Sequence, residues 1–253
     1  MSYLFDDASS EFMRYGSAVV SAAPLTMACW FKGDDLTADS CALSITDKDT
    51  NVDYFGLFVR KTDTYANKVE YGARSAAGGS PTAATTTAWS ANTWHHVCGV
   101  EISTASRAVY IDGGSKGTET TDITPLNLDR TTVGVLDRLS PVLYASGRID
   151  HVSIWNVALT DAEVAQLAAG ASPLLIRPTG LVAYWMLVGG VLVDVIGGVT
   201  LTNNGAAVDP DHSPLWYPQA SDTWHAAAGA AGGLLRHYGM TGNMQQLVGG
   251  LRG

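Results

Sequence analysis

An all-β, antiparallel fold carrying one short helix is predicted by three features of this sequence. Charged residues are only 15% of the chain while glycines number 27, a balance suited to a β protein with many turns or to one that hides surface in an assembly. Trp94-His95-His96-Val97-Cys98-Gly99-Val100, followed by Ala108-Val109-Tyr110-Ile111-Asp112-Gly113-Gly114, reads as two strands and a tight turn. Val109 and Ile111 alternate with Tyr110 and Asp112, the period of a half-buried strand, and Asp112-Gly113 offers the positive φ of a primed hairpin turn. Ahead of the C-terminal segment, only one stretch carries a helix signature. At 253 residues the chain can bury a full core and still carry an extension.

In chain order, Tyr3-Leu4-Phe5 through Phe12-Met13 reads as an edge strand and a turn. Residues 25–32 form a strand rich in Thr, Trp and Phe, ended by Gly33-Asp34-Asp35. Residues 42–46 are a short strand leading into the polar loop Asp47-Lys48-Asp49-Thr50-Asn51. Strands follow at 55–59 and 68–73, then a Gly/Ala/Ser loop at 75–80 and a Thr-rich segment to Ala88. After the Trp94 hairpin, Thr132-Val133-Gly134-Val135 begins another strand. Residues 147–156 are the most regular one: Ile149, His151, Ser153 and Trp155 are expected on one face, Asp150, Val152, Ile154 and Asn156 on the other. Apolar groups on both faces make it a central strand.

Thr160-Asp161-Ala162-Glu163 opens the helix as a capping box, Val164, Leu167 and Ala168 form its apolar stripe, and Gly170 stops it. A connector leads to a strand at 181–187, and residues 199–205 read as a hairpin arm ending in an Asn-Gly turn. Pro210, Pro214 and Pro218 punctuate an extended segment before the composition changes at Gln219.

The net charge of −9 leaves no electrostatic footprint for nucleic acid and no attraction to anionic membranes. The start, Met1-Ser2-Tyr3-Leu4-Phe5-Asp6-Asp7, lacks the basic and apolar regions of a signal peptide, so synthesis in a cytoplasm is expected. The apolar run at 181–199 is broken by Gly189, Gly190, Asp194, Gly197 and Gly198, which argues against membrane insertion. Cys29, Cys41 and Cys98 are odd in number, lack metal-ligand spacing, and read as reduced thiols.

Phe5-Asp6-Asp7 with Phe12, the strand at 25–31, the Trp94 hairpin, and Gly147-Arg148-Ile149-Asp150-His151-Val152 with its helix together resemble laminin-G-like, concanavalin A-type jelly-roll domains over about residues 3 to 170. The resemblance implies a sandwich of two curved antiparallel sheets; where the family usually carries an acidic residue, this chain has His151. Many relatives place a Leu-Val-Ala-Tyr-Trp strand before the Phe-Asp segment, whereas here Leu181-Val182-Ala183-Tyr184-Trp185 comes late. Without such a strand the sheet edge would expose unpaired backbone, so residues 181–205 are expected to supply late strands, with 181–187 beside Tyr3–Phe5 as a permuted or swapped element. The expected domains are a jelly roll at 1–218 and an arm at 219–253.

A glucanase on this scaffold would need closely spaced carboxylates on one strand face. There is no Glu-x-Asp-x-x-Glu run, and Asp6, Asp7 and Glu11 are not spaced to share one, so no enzyme is expected. Adjacent His95 and His96 face opposite sides of a strand and cannot grip one metal; His225 and His237 lie in the tail without companion ligands. Asp47, Asp49 and Asp53, with Asn51, form a loop of alternating oxygen ligands suited to calcium, with Lys48 among them; Asp6, Asp7 and Asp150 are a second set. Tyr54, Tyr65 and Trp89, at loops and strand ends, are the candidate platform for a glycan, whereas Trp30, Trp94, Trp155 and Trp185 belong to apolar strands and the core.

The arm is rich in apolar groups, among them Trp224, Leu234, Leu235, Tyr238, Met244 and Leu247, and carries few charges. A segment this apolar is expected to dock or oligomerise. The arrangement from Ser172-Pro173-Leu174-Leu175 through Asp211-His212 is also similar to laminin-G-like proteins of tailed bacteriophages. That resemblance implies a non-enzymatic virion structural protein, a capsid decoration or tail-fibre surface protein. Its expected partners are other virion proteins and further copies of itself, a trimer being a common solution. The alternative is a lectin-like module that recognises host surface glycans, with or without calcium.

Overall fold

The computed structural model describes residues 1–34, 39–60, 66–76 and 78–214. Tyr65 and the whole 219–253 arm lie outside the described residues. The strands are β1 (Ser2–Phe5), β2 (Phe12–Tyr15), β3 (Leu25–Gly33), β4 (Ser40–Thr46), β5 (Tyr54–Val59), β6 (Val69–Arg74), β7 (Thr82–Ala84) and β8 (His95–Ser103). They continue as β9 (Ser106–Ile111), β10 (Gly114–Glu119), β11 (Arg130–Val133), β12 (Gly147–Trp155), β13 (Leu181–Trp185), β14 (Thr202–Asn204) and β15 (Ala207–Asp209), with one helix, α1 (Asp161–Ala168), after β12. Sheet A runs β10-β9-β8-β3-β12-β1-β15, with β13 also on β12; sheet B runs β14-β2-β11-β4-β5-β6-β7. All pairings between these strands are antiparallel, and the two sheets form a jelly-roll sandwich.

The core lies between the sheets. Phe5, Met27, Phe31, Val97 and Ile149 from sheet A meet Met13, Leu43, Ile45, Phe55 and Leu57 from sheet B. Each such side chain contributes about 1.5–3 kcal/mol by leaving water. The Trp94 region supplies three consecutive strands. Asp112 and Gly113 both take positive φ, 51° and 73°, the pair of values a type I′ turn requires between β9 and β10. Gly99 is needed for packing: a Cβ there would lie 2.1 Å from the Tyr71 ring, which crosses from β6. The three cysteines are buried and free, and burial raises their thiol pKa values.

The helix forms as its cap foretells: Thr160 Oγ1 accepts from the Glu163 amide and the Glu163 carboxylate accepts from the Thr160 amide. Val164 and Leu167 pack, with Leu159, Ile176 and Leu181, on the outer face of sheet A over Ala28, Cys98, Val100, Ala108 and Tyr110.

Three expectations need correction. Strict alternation along β12 fails at His151, where φ is +50° and the register with β3 slips between Asp150 and Ser153. This bulge puts Ile149, Val152 and Ile154 together in the core and turns Trp155 to the outer face; an inserted residue flips every side chain beyond it. Second, Leu181–Trp185 does not lie beside Tyr3–Phe5. β1 covers only Gly147 to Ile149 of the long β12, and β13 covers its other half, from Val152 to Trp155. The second edge of β1 is taken by Ala207–Asp209 of the same chain, so residues 181–205 supply late strands, β13 on β12 and β14 on β2, without lying beside β1. Third, the Asn204-Gly205 turn does not close a hairpin. β14 pairs with β2 in sheet B while β15 pairs with β1 in sheet A, so the chain crosses the sandwich edge there and protects both sheets. The short strand β7 arises within the segment read as loop and Thr-rich linker, because β6 offers it an edge.

Candidate functional site

The expected platform aromatics are not surface groups. Tyr54 is buried with Cys41, Phe58 and Leu136, and its hydroxyl lies 3.3 Å from Ser80 Oγ. Trp89 belongs to the main core, edge-on to Phe31, with its indole N–H donating to the Arg60 carbonyl at 3.1 Å. Tyr54 packs with Leu136 of the 134–145 segment, and Trp89 packs on Phe31 and Gly33, so neither presents a face to a sugar. Trp30, Trp155 and Trp185 are buried, and Trp94, half-buried, donates to Asp211 Oδ1.

His95 and His96 diverge as strand geometry requires. His95 bridges Asp112 Oδ2, at 2.8 Å, and Ser90. His96 stacks edge-on against Trp30, and burial lowers its pKa to about 4. The carboxylates of Asp6 and Glu11 serve their own turn, accepting the Ala8 and Asp6 amides.

The calcium loop is only partly assembled. Carboxylate oxygens of Asp47, Asp49 and Asp129 gather within 4.8 Å of one another, so Asp129 takes the place expected for Asp53. Asp53 instead accepts the Leu126 amide and the Thr50 hydroxyl. Lys48 Nζ pairs with Asp49 and with Asp129, at 2.5 and 3.0 Å, and supplies the positive charge a cation would bring. These residues do not fit a preformed calcium site, since an ion must displace Lys48. Millimolar calcium is expected to leave the Tm of the protein unchanged; a rise of several degrees would show that the carboxylates take the ion in spite of Lys48.

The outer face of sheet B carries a different constellation. In β2, Met13 enters the core, so Phe12 and Arg14 stand on the outer face; in β11, Val133 enters the core and Arg130 and Thr132 face out. Residues 134–145 fold back over this face. Ser44 Oγ donates to the Val135 carbonyl and Thr46 Oγ1 to the Asp137 carbonyl, at 2.8 and 2.6 Å, and Leu136 bridges Val142.

That fold-back sets the fully buried Asp137 carboxylate between two arginines. Arg14 binds it twice, Nε to Oδ2 at 2.5 Å and Nη2 to Oδ1 at 3.0 Å, and Arg130 Nη1 reaches Oδ1 at 3.0 Å. Arg14 also stacks on the Phe12 ring, 4.8 Å from its centroid, and the Tyr144 ring stands 6.3 Å from Phe12. Asp137 is inaccessible, whereas the Arg14 and Arg130 side chains keep 34% and 22% of their exposure and both rings are half-buried. Among the described residues no hydrogen bond engages Arg14 Nη1 or Arg130 Nε and Nη2. Rigid rings beside fixed N–H donors suit a ligand with apolar C–H faces and oxygen acceptors. Sequence reading passed over this group because its members come from four separate segments and share no motif.

The chain belongs to the concanavalin A-like lectin/glucanases superfamily: the family model of that description matches residues 7–165. No curated protein matches it. Among solved structures, it is similar to a heptameric SAP-like pentraxin from Limulus polyphemus, with a TM-score of 0.58 and 19% identity over 78% of this chain and 87% of that one. A protein of Bacteroides ovatus described as carbohydrate-binding superposes with a TM-score of 0.61 and 17% identity, over 81% of this chain and 58% of that one. The CBM40 of the Ruminococcus gnavus IT-sialidase, bound to α2,3-sialyllactose, gives a TM-score of 0.50 and 16% identity over 58% of this chain and 84% of that one. At these identities the likeness is one of fold. Among the described residues, no helix is long and apolar enough to cross a membrane.

Proposed function

We propose that this domain is a non-catalytic, lectin-like module that binds a glycan on the outer face of sheet B, against Phe12 and Tyr144. The observation that carries the reading is the pairing of two half-exposed rings with two guanidiniums held on one buried carboxylate. A sugar ring lays its C–H face on an aromatic ring and takes hydrogen bonds at its rim, and this arrangement supplies both. The fold supports the reading, since two of the similar structures are described as carbohydrate-binding or are glycan-bound. A heptameric pentraxin of the same fold supports self-association as a partner mode. The virion role, with the 219–253 segment as its assembly arm, rests on the sequence resemblance alone.

A glycan array followed by calorimetry on the best ligand tests the proposal. Tyr144→Ala and Phe12→Ala are each expected to weaken binding about tenfold with Tm nearly unchanged, because both rings are half-solvated in the free protein. A uniformly blank array, or binding indifferent to both substitutions, sinks it.

A further inference from the structure

We infer that the glycan this face takes carries a carboxylate; the inference rests on the binding mode proposed above and narrows its ligand class. Two guanidiniums, Arg14 and Arg130, share the single carboxylate of Asp137, which leaves one positive charge fixed at a half-exposed position. The neighbouring acid, Asp129, shares Lys48 with Asp49 and also feels the charge of Arg130, but it takes none of the Arg130 N–H donors. Glu11, the residue before Phe12, turns its carboxylate to the Asp6 amide.

Its geometry narrows the ligand further. Asp137 is fully buried and anchored through its own carbonyl to Thr46, so it holds the arginines in place and offers nothing to a ligand. The Nη1 of Arg14 and the Nε and Nη2 of Arg130 are donors only, and a guanidinium edge matches a carboxylate with two parallel hydrogen bonds. A carboxylate only accepts hydrogen bonds and so uses such a donor edge fully, whereas a neutral hydroxyl leaves its own proton to water there. Phe12, under Arg14, keeps that guanidinium from swinging away when the ligand leaves.

Matched ligand pairs that differ only in the carboxylate provide the test: oligogalacturonate against its fully methyl-esterified form, and sialyllactose against lactose, titrated into the full chain at low and at physiological salt. At least one acidic member is expected to bind tenfold or more tighter than its neutral partner, with the margin shrinking as salt rises. Arg130→Gln is expected to erase that margin while leaving weak, ring-dependent binding, and a thermal melt of the variant reports whether the fold survives. Arg14→Gln serves as the second variant. Equal affinity within both pairs overturns the inference, and if that binding still depends on Tyr144 the lectin reading stands. Binding of neither member of either pair also overturns it; a blank result on neutral glycans as well then removes the lectin reading.

Discussion

Glu101→Leu is expected to destabilise the fold by about 3–5 kcal/mol, because it strands a buried arginine. Glu101 on β8 and Arg107 on β9 have no exposed side-chain surface. Arg107 Nε and Nη2 reach the Glu101 carboxylate at 3.1 Å, and Nη2 also donates to the Thr104 carbonyl at 2.9 Å. Burial of both charges is costly, and their mutual attraction offsets that cost only while both are present. The double variant Glu101→Leu with Arg107→Met is therefore expected to recover most of the loss. Urea unfolding of wild type, the two single variants and the double variant supplies the whole cycle. A single variant within 1 kcal/mol of wild type, or a double variant no better than the singles, would contradict this account.

The second large effect is a gain in stability that grows with pH when Asp150 is replaced. This carboxyl is buried on β12, accepts the Ser213 amide at 2.9 Å, and pairs with no Lys or Arg among the described residues. Burial pushes its pKa up from 3.8 to about 7. The folded protein thus keeps this proton where the unfolded chain has lost it, so the group's contribution is whole below pH 4 and is lost as the pH rises to about 7. Buried His96 and His151, whose pKa values burial lowers to about 4 and about 3, act in the opposite sense, losing stability as the pH falls below 6.5. The comparison of wild type with Asp150→Asn cancels those histidines. The variant is expected to be near neutral at pH 4 and, relative to that, to gain on the order of 4 kcal/mol by pH 8. Parallel stability curves for the two proteins across that range would refute the assignment.

Both residues stand in or next to strands that the sequence makes plain, yet nothing there distinguishes Glu101, and Asp150 enters only as an oxygen ligand beside Asp6 and Asp7. Glu101 follows Val100 without any local sign that it points inward, since its burial depends on Arg107 arriving across the hairpin. Asp150 was placed on a β12 face by alternation, and the positive φ at His151 changed which residues shared that face beyond it. Tyr54 and Trp89 illustrate the opposite error. Their places at a strand end and in a loop suggest exposure, but Leu136 packs against Tyr54 and Phe31 of β3 against Trp89. At the candidate calcium loop, Asp129 and not Asp53 gathers with Asp47 and Asp49, a neighbour that no local spacing announces.

By itself the sequence determined the local features of this protein: the strands read by their period, the Asp112-Gly113 turn, the Thr160 capping box, and membership of a jelly-roll family. Each is set by backbone conformation and hydrophobic periodicity within a few residues, so each can be read in place. Only the tertiary structure decided which strand closes β1, where β12 bulges, and what occupies the outer face of sheet B. Arg14 and Asp137 are 123 residues apart, and they meet because β2 and β11 pair and residues 134–145 fold back. Such a meeting is a product of sheet pairing and burial summed over the whole sandwich, and no local pattern encodes it.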